Sequence, residues 1–418
     1  MRVLKRNPWL PSLGVLLAAV VVGGYARADV TTDQPGSIVI FPKVISDGTR
    51  DTLIQLTNTG TMSIGVHCVY VDSSLASTGF CSGTTPEAEP CFGATQAEAD
   101  AHCIDPDTGN NNGTCVICHP EDFEINLSPL QPTVWRVSTG RNDLDQTKGF
   151  FFGAVLGHPT FAGELKCFQS DPTDPSSVTP GNKLKGEAII ENLTSGQISE
   201  YNGIAIQATG GLVCSNDSTV NCSVDSDCGV GFCKVILLDG AHYNSCPTQL
   251  LVNHYAEGAI DPFTGASVHS ELTLVPCTEN LESAVPTTTN VLFNSYNEME
   301  QFAGSHTIGF ACWLNLGFDD PRLFPFTPAA GFNGSNFGKT RVGTSTGDAR
   351  TCAGGSNAGL SCQGNGDCPG SICNPPASGV LGVLEEFHRI TGQPDGTAAV
   401  NLHIVGKRLL DSITLTNP

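Results

Sequence analysis

An all-β fold is predicted, with two related antiparallel β-sandwich domains of Ig-like type that carry disulfide-rich loop insertions. Three observations predict it. Short segments alternate apolar and polar residues with a period of two, the pattern of half-buried strands. Turn formers are abundant, with 47 glycines and 26 prolines in 418 residues, and no apolar stripe runs for three capped helical turns. The 18 cysteines all lie beyond residue 28, and their even count allows complete pairing.

The segments follow in order. Ile38–Phe41 is apolar. Ile54 and Leu56 alternate with Gln55 and Thr57, and Gly65–Val71 continues the pattern. Phe123, Ile125 and Leu127 point one way while Glu124, Asn126 and Ser128 point the other. Val134–Val137, Phe150–Val155, Gly163–Phe168 and Ala188–Glu191 extend the series, and Val400, Leu402 and Ile404 repeat it near the end. Gln96–His102 is rich in Ala, Gln and Glu and is expected as a short helix.

An internal echo supports duplication. Ile38-Val39-Ile40-Phe41-Pro42 returns as Leu272-Thr273-Leu274-Val275-Pro276, and Ile64-Gly65-Val66-His67-Cys68 returns as Ile308-Gly309-Phe310-Ala311-Cys312. The expected division is a β-sandwich over 29–210 with a Cys-rich insert at about 73–119, a four-Cys cassette over 211–233, and a second sandwich over 234–418 with another cassette at 352–373. The inserts are Gly-, Asn- and Ser-rich. They read as disulfide-stapled excursions at the ends of the sandwiches.

Residues 1–28 read as a secretory signal. Arg2, Lys5 and Arg6 precede an apolar stretch, and Ala26-Arg27-Ala28 is an A-x-A cleavage site. The stretch is too short for a membrane span, and none is expected elsewhere. The product is expected in the periplasm or outside the cell. The net charge of −21 argues against nucleic acid as a partner, because phosphates demand Lys and Arg.

The cassettes are Cys214, Cys222, Cys228, Cys233 and Cys352, Cys362, Cys368, Cys373, with Asp-Cys at the third cysteine of each. Each allows three pairings. The run Cys222-Ser-Val-Asp225-Ser-Asp227-Cys228-Gly-Val-Gly231-Phe-Cys233 resembles the C-x-x-D-x-D-C-x-x-G-x-C repeats of large, uncharacterised exported β-rich proteins of environmental Gram-negative bacteria. The second copy has Asn365 in place of the first Asp. The resemblance implies export and implies no activity.

Three groups of residues nominate a cofactor or ion. Cys115-Val116-Ile117-Cys118-His119 is C-x-x-C-H, the attachment signature of haem c, with His119 as iron ligand. The competing reading places Cys115 and Cys118 in disulfides of the first insert. Asp105 and Asp107, in an Asn- and Gly-rich run to Gly113, have oxygen donors at the spacing of a calcium loop, or form a polar turn. Asp225 and Asp227 read as turn acceptors. His254, Glu257, His269 and Glu271 are close enough in sequence to gather around zinc, against the reading of a solvated loop. Gly343-Thr-Ser345-Thr-Gly347 matches the G-x-S-x-G nucleophile pattern but leads into a disulfide cassette instead of a helix.

No coherent catalytic set emerges. The sequence reads as an exported, acidic, disulfide-stabilised structural or interaction protein, with an unidentified protein or a glycan as partner and no resident cofactor. A periplasmic electron-transfer protein with one haem c is the alternative, and an unrecognised hydrolase is the second.

Overall fold

The structure, a computed structural model, describes residues 30–74, 118–141, 154–281, 289–320, 332–344, 379–392, 396–404 and 411–415, with short strand pieces and single positions between them. These residues are built almost wholly of strands, with one 3-10 turn at Asp225–Cys228. The calcium-loop residues Asp105 and Asp107, the Gln96–Asp100 part of the expected helix, Ser345, Cys362 and Cys368 lie outside the described residues.

The first half contributes β1 (Ile38–Ser46), β2 (Arg50–Asn58), β3 (Ile64–Asp72), β4 (His119–Leu127), β5 (Pro132–Arg136), β6 (Phe161–Asp171), β7 (Leu184–Asn192), β8 (Ile198–Asn202) and β9 (Ile204–Ile206). They form a ten-stranded sheet in the order β8-β7-β2-β1-β6-β3-β4, with β5 added to β2, β9 to β1 and Asp174–Val178 to β6. β1 and β2 pair only at Ser46 and Asp51, so the sheet folds there into two facing leaves. One core fills the space between them. Val39, Phe41, Val66, Tyr70 and Leu165 come from one leaf, and Ile54, Leu56, Trp135, Ala188 and Ile190 from the other. The Trp135 indole donates to the Tyr70 hydroxyl at 2.7 Å, so the largest polar atoms of this core satisfy each other.

β1 and β3 break the alternation. Every residue of each is buried. Their second face, with Ile38, Ile40, Val69 and Val71, belongs to another apolar cluster that includes Leu212, Ile236, Tyr243, Val275, Leu381 and Ile413. A strand covered on both faces needs a continuous apolar run, and Ile38-Val39-Ile40-Phe41 supplies one. The same cover buries His67, which the alternation of β3 alone would leave facing solvent.

The second half contributes β10 (Leu212–Cys214), β11 (Cys233–Leu238), β12 (Gln249–Tyr255), β13 (Ser267–Pro276), β14 (Thr289–Asn297), β15 (Phe302–Phe310), β16 (Leu314–Gly317), β17 (Phe337–Thr344), β18 (Val380–Arg389), β19 (Gly396–Asn401), β20 (His403–Ile404) and β21 (Asp411–Thr414). Sheet β15-β14-β17-β12-β20 packs on sheet β16-β13-β18-β19. Val252, Val291, Phe293 and Val342 of the first meet Leu272, Leu274, Leu316 and Leu384 of the second. A small sheet of β10, β11 and β21, with Asn221–Cys222 and Glu279–Asn280, contributes to the cluster behind β1 and β3.

The echoed segments take different places. β3 shares a sheet with β1, with β6 between them, whereas β15 is an edge strand of the sheet facing β13. Cys68 is bonded to Cys167 across neighbouring strands, while Cys312 is bonded to Cys118 in the first half.

Polar contacts join the two halves. Pro42 and Lys43 form a bulge in β1 opposite Glu164, between the pairs Phe41–Leu165 and Val44–Gly163. Proline has no amide hydrogen for the ladder and is tolerated at such a bulge. The Lys43 amide is released to donate to the Tyr201 hydroxyl at 3.0 Å, and that hydroxyl donates back to the Lys43 carbonyl at 2.7 Å. The Lys43 ammonium reaches Glu271 of β13 at 2.7 Å and Glu385 of β18 at 2.8 Å, and Arg50 joins Glu271 at 3.0 Å. The Trp313 indole donates to the Pro42 carbonyl at 2.8 Å. A second buried cluster places Lys166 between Glu164 and Glu279. Burial pushes the Glu164 carboxyl well up, against the pull of Lys166.

Candidate functional site

The outer face of sheet β15-β14-β17-β12 carries a groove. Alternation along β12 sends Leu250, Val252 and His254 into the core and leaves Leu251, Asn253 and Tyr255 less buried on the other face. β17 does the same with Phe337, Lys339 and Arg341. The register then sets these residues in rows. Leu251 lies beside Arg341, which lies beside Asn294; Asn253 lies beside Lys339, which lies beside Tyr296; Tyr255 lies beside Phe337.

Leu251, Asn253, Tyr296, Phe337, Lys339 and Arg341 of these rows line this groove of about 550 Å³. Glu298 and Glu300 stand at one end, on the tight turn from β14 to β15. Asn297 fixes that turn, because its side-chain carbonyl accepts from the amides of Met299 at 3.0 Å and Gln301 at 2.9 Å. Aromatic rings flank the groove in pairs. Tyr255 and Phe337 have centroids 4.6 Å apart, and Tyr296 and Phe302 5.6 Å. Phe302 is 60% exposed.

Beneath the groove a polar ladder locks the three central strands. The imidazole of His254 is 3% exposed. Its Nδ1–H donates to the Tyr255 carbonyl at 2.7 Å, which leaves Nε2 to accept from the Thr340 hydroxyl at 2.8 Å. Thr340 in turn accepts from Ser295 at 2.8 Å. Burial holds the pKa of His254 down to about 4, so the ring is neutral at physiological pH. The floor of the groove is thereby rigid, and its charges come from Lys339, Arg341, Glu298 and Glu300.

The sites nominated from sequence resolve differently. Cys118 is bonded to Cys312, 194 residues away, and Cys115 is also disulfide-bonded. His119 is exposed at the start of β4, opposite Asp72. Both sulfurs are in disulfides here, the arrangement of the competing reading of this motif. Cys118 staples the start of β4 to the second half of the chain.

The first cassette pairs Cys214 with Cys228 and Cys222 with Cys233. Asp225 accepts the Cys233 amide at 2.8 Å, and Asp227 accepts the amides of Ser223 at 2.8 Å and Val224 at 3.2 Å. Both act as turn acceptors. The cassette is not the peripheral excursion its polarity suggests, since Cys214, Cys222 and Cys228 are buried in the cluster behind β1 and β3. Cys352 and Cys373 of the second cassette face each other across a short antiparallel pairing. The four residues considered for zinc separate: His254 lies in the ladder and Glu271 in the Lys43 cluster, while His269 and Glu257 meet at 2.8 Å.

Sequence reasoning missed the groove. Its signal was present in Tyr255, Phe337, Lys339 and Arg341, where aromatic and cationic side chains occupy positions that alternation assigns to solvent. No protein-family model matches the chain, and no curated protein matches it.

Proposed function

We propose that the protein is an exported, non-catalytic binding protein and that the groove on the outer face of β12, β14 and β17 takes a glycan. The observation that carries this reading is the row arrangement itself. Tyr296 and Phe337 offer apolar ring surface, while Asn253, Lys339 and Arg341 offer hydrogen-bond donors in fixed register between them. A sugar ring has an apolar C–H face and a rim of hydroxyls, which suits this mixture of ring surface and few placed polar groups. Export is supported by the 1–28 segment and by the number of disulfides, which persist in oxidising compartments.

The test is affinity electrophoresis of the full chain in gels cast with neutral and with uronic-acid polysaccharides, followed by calorimetry on the best oligosaccharide. Retardation that falls at least tenfold in Tyr296→Ala, Phe337→Ala and Arg341→Ala is expected. Absence of retardation on every polysaccharide, or equal retardation of wild type and variants, overturns the reading. Selective binding of uronic-acid polymers would assign Lys339 and Arg341 to carboxylates.

A further inference from the structure

The second sandwich brings together three metal-ligating side chains that are distant in sequence and separate from the groove. Glu257 follows β12, His269 lies on β13, and Asp319 follows β16. One ligand atom from each lies within 4.8 Å of the other two. Their convergence has a backbone cause. β13 pairs with β16 through Glu271 and Gly317, and the Phe318 amide donates to the Ser270 carbonyl at 3.0 Å, so the chain leaving β16 runs beside His269. Glycine at 317 opens this space: a Cβ there would meet Asp319 Oδ1, whose side chain would have to turn away, and would lie 3.2 Å from the His269 ring. The missing side chain leaves the space in which carboxylate and imidazole meet.

Glu257 is oriented from both sides. Its Oε1 is 2.8 Å from His269 Nδ1, and its Oε2 accepts the Ser270 amide at 3.3 Å. Two carboxylates thus converge on one imidazole.

We infer that Glu257, His269 and Asp319 form a site for a borderline divalent metal of the zinc class, bound by one nitrogen and two carboxylate ligands with water completing the tetrahedron. Imidazole with carboxylates suits zinc, whereas calcium takes an all-oxygen shell of six to eight ligands. The position between β12, β13 and β16 makes the ion a clamp between the two sheets of the sandwich.

The experiment is calorimetric titration of ZnCl₂ into the EDTA-dialysed full chain, with CaCl₂ in parallel. One equivalent of zinc is expected to bind at micromolar Kd or tighter, without a calcium counterpart. His269→Ala and Asp319→Asn should each weaken it at least tenfold while the circular dichroism spectrum stays that of wild type. His242→Ala, which removes the imidazole beside Asp239 on another turn, should leave it unchanged. Equal zinc binding by wild type, His269→Ala and Asp319→Asn, or no saturable binding by wild type, overturns the assignment.

Discussion

Lys43 and Glu385 form an ion pair of 2.8 Å with almost no solvent access, and they come from opposite halves of the chain. The β1 bulge that frees Lys43 is what lets a strand of one sandwich reach a strand of the other. Such a pair has already lost its hydration, and removing one partner strands the other. Lys43→Met should therefore lower the unfolding free energy by about 3–5 kcal/mol. Urea denaturation measures this, and a loss under about 1 kcal/mol would mean that water enters the interface.

The same cluster sets an acid response. Burial opposes ionisation of Glu271, but Lys43 and Arg50 overcome it and hold its pKa at about 2. A carboxyl whose folded pKa is depressed stabilises the fold above its unfolded value of 4.5 and loses that contribution as pH falls towards 2. Stability measured from pH 6 to pH 2 should decline over that window. Glu271→Gln should start less stable and decline less steeply there. Parallel profiles for the two proteins would remove Glu271 from the account.

His254 titrates with the same sign for a different reason. Its folded pKa of about 4 lies below the ordinary 6.5, so its contribution is complete above pH 6.5 and lost as pH falls towards 4. Nitrogen-detected NMR of the imidazole should show the Nδ1–H tautomer and no protonation at pH 5.5. Protonation near pH 6.5 would place the ring in water.

Cys118 and Cys312 fix the two halves covalently. Replacing both with alanine should cost about 2–4 kcal/mol. The denaturation midpoint should fall while the transition stays single, because β1 and β3 keep their shared apolar cover. Two resolved transitions would show that the bond alone makes the halves cooperate.

Both cassettes place their first and fourth cysteines opposite each other on paired strands, Cys214 with Cys233 and Cys352 with Cys373. The shared geometry predicts shared connectivity. Peptide mapping under non-reducing conditions should find Cys352 joined to Cys368 and Cys362 to Cys373. A Cys352–Cys373 bond would separate the two cassettes.

The strands were legible because half-buried strands write their faces into alternate residues, as Phe123, Ile125 and Leu127 do. The covered second face of β1 and β3 was not. A short apolar run such as Ile38–Phe41 looks the same whether one face is packed or two. Nothing local marks Glu271 and Glu385 as the partners of Lys43, or Glu279 as a partner of Lys166. Disulfide choice was equally hidden. C-x-x-C-H spacing was visible at Cys115–His119, but the partner of Cys118 depends on where β15 ends. The groove failed to stand out because its residues are distributed over three strands that only pairing brings side by side.

The Cys118–Cys312 bond also constrains how the protein is made. A chain appears N-terminus first, so Cys118 waits for a partner 194 residues behind it. During that wait Cys68, whose own partner Cys167 has not yet appeared, and Cys81, Cys91, Cys103 and Cys115 all precede it. An oxidant acting in order of appearance captures Cys118 with one of them. The correct product then requires that bond to be reopened by thiol–disulfide exchange. Recombinant yield should therefore follow the supply of disulfide isomerase more closely than the supply of oxidant.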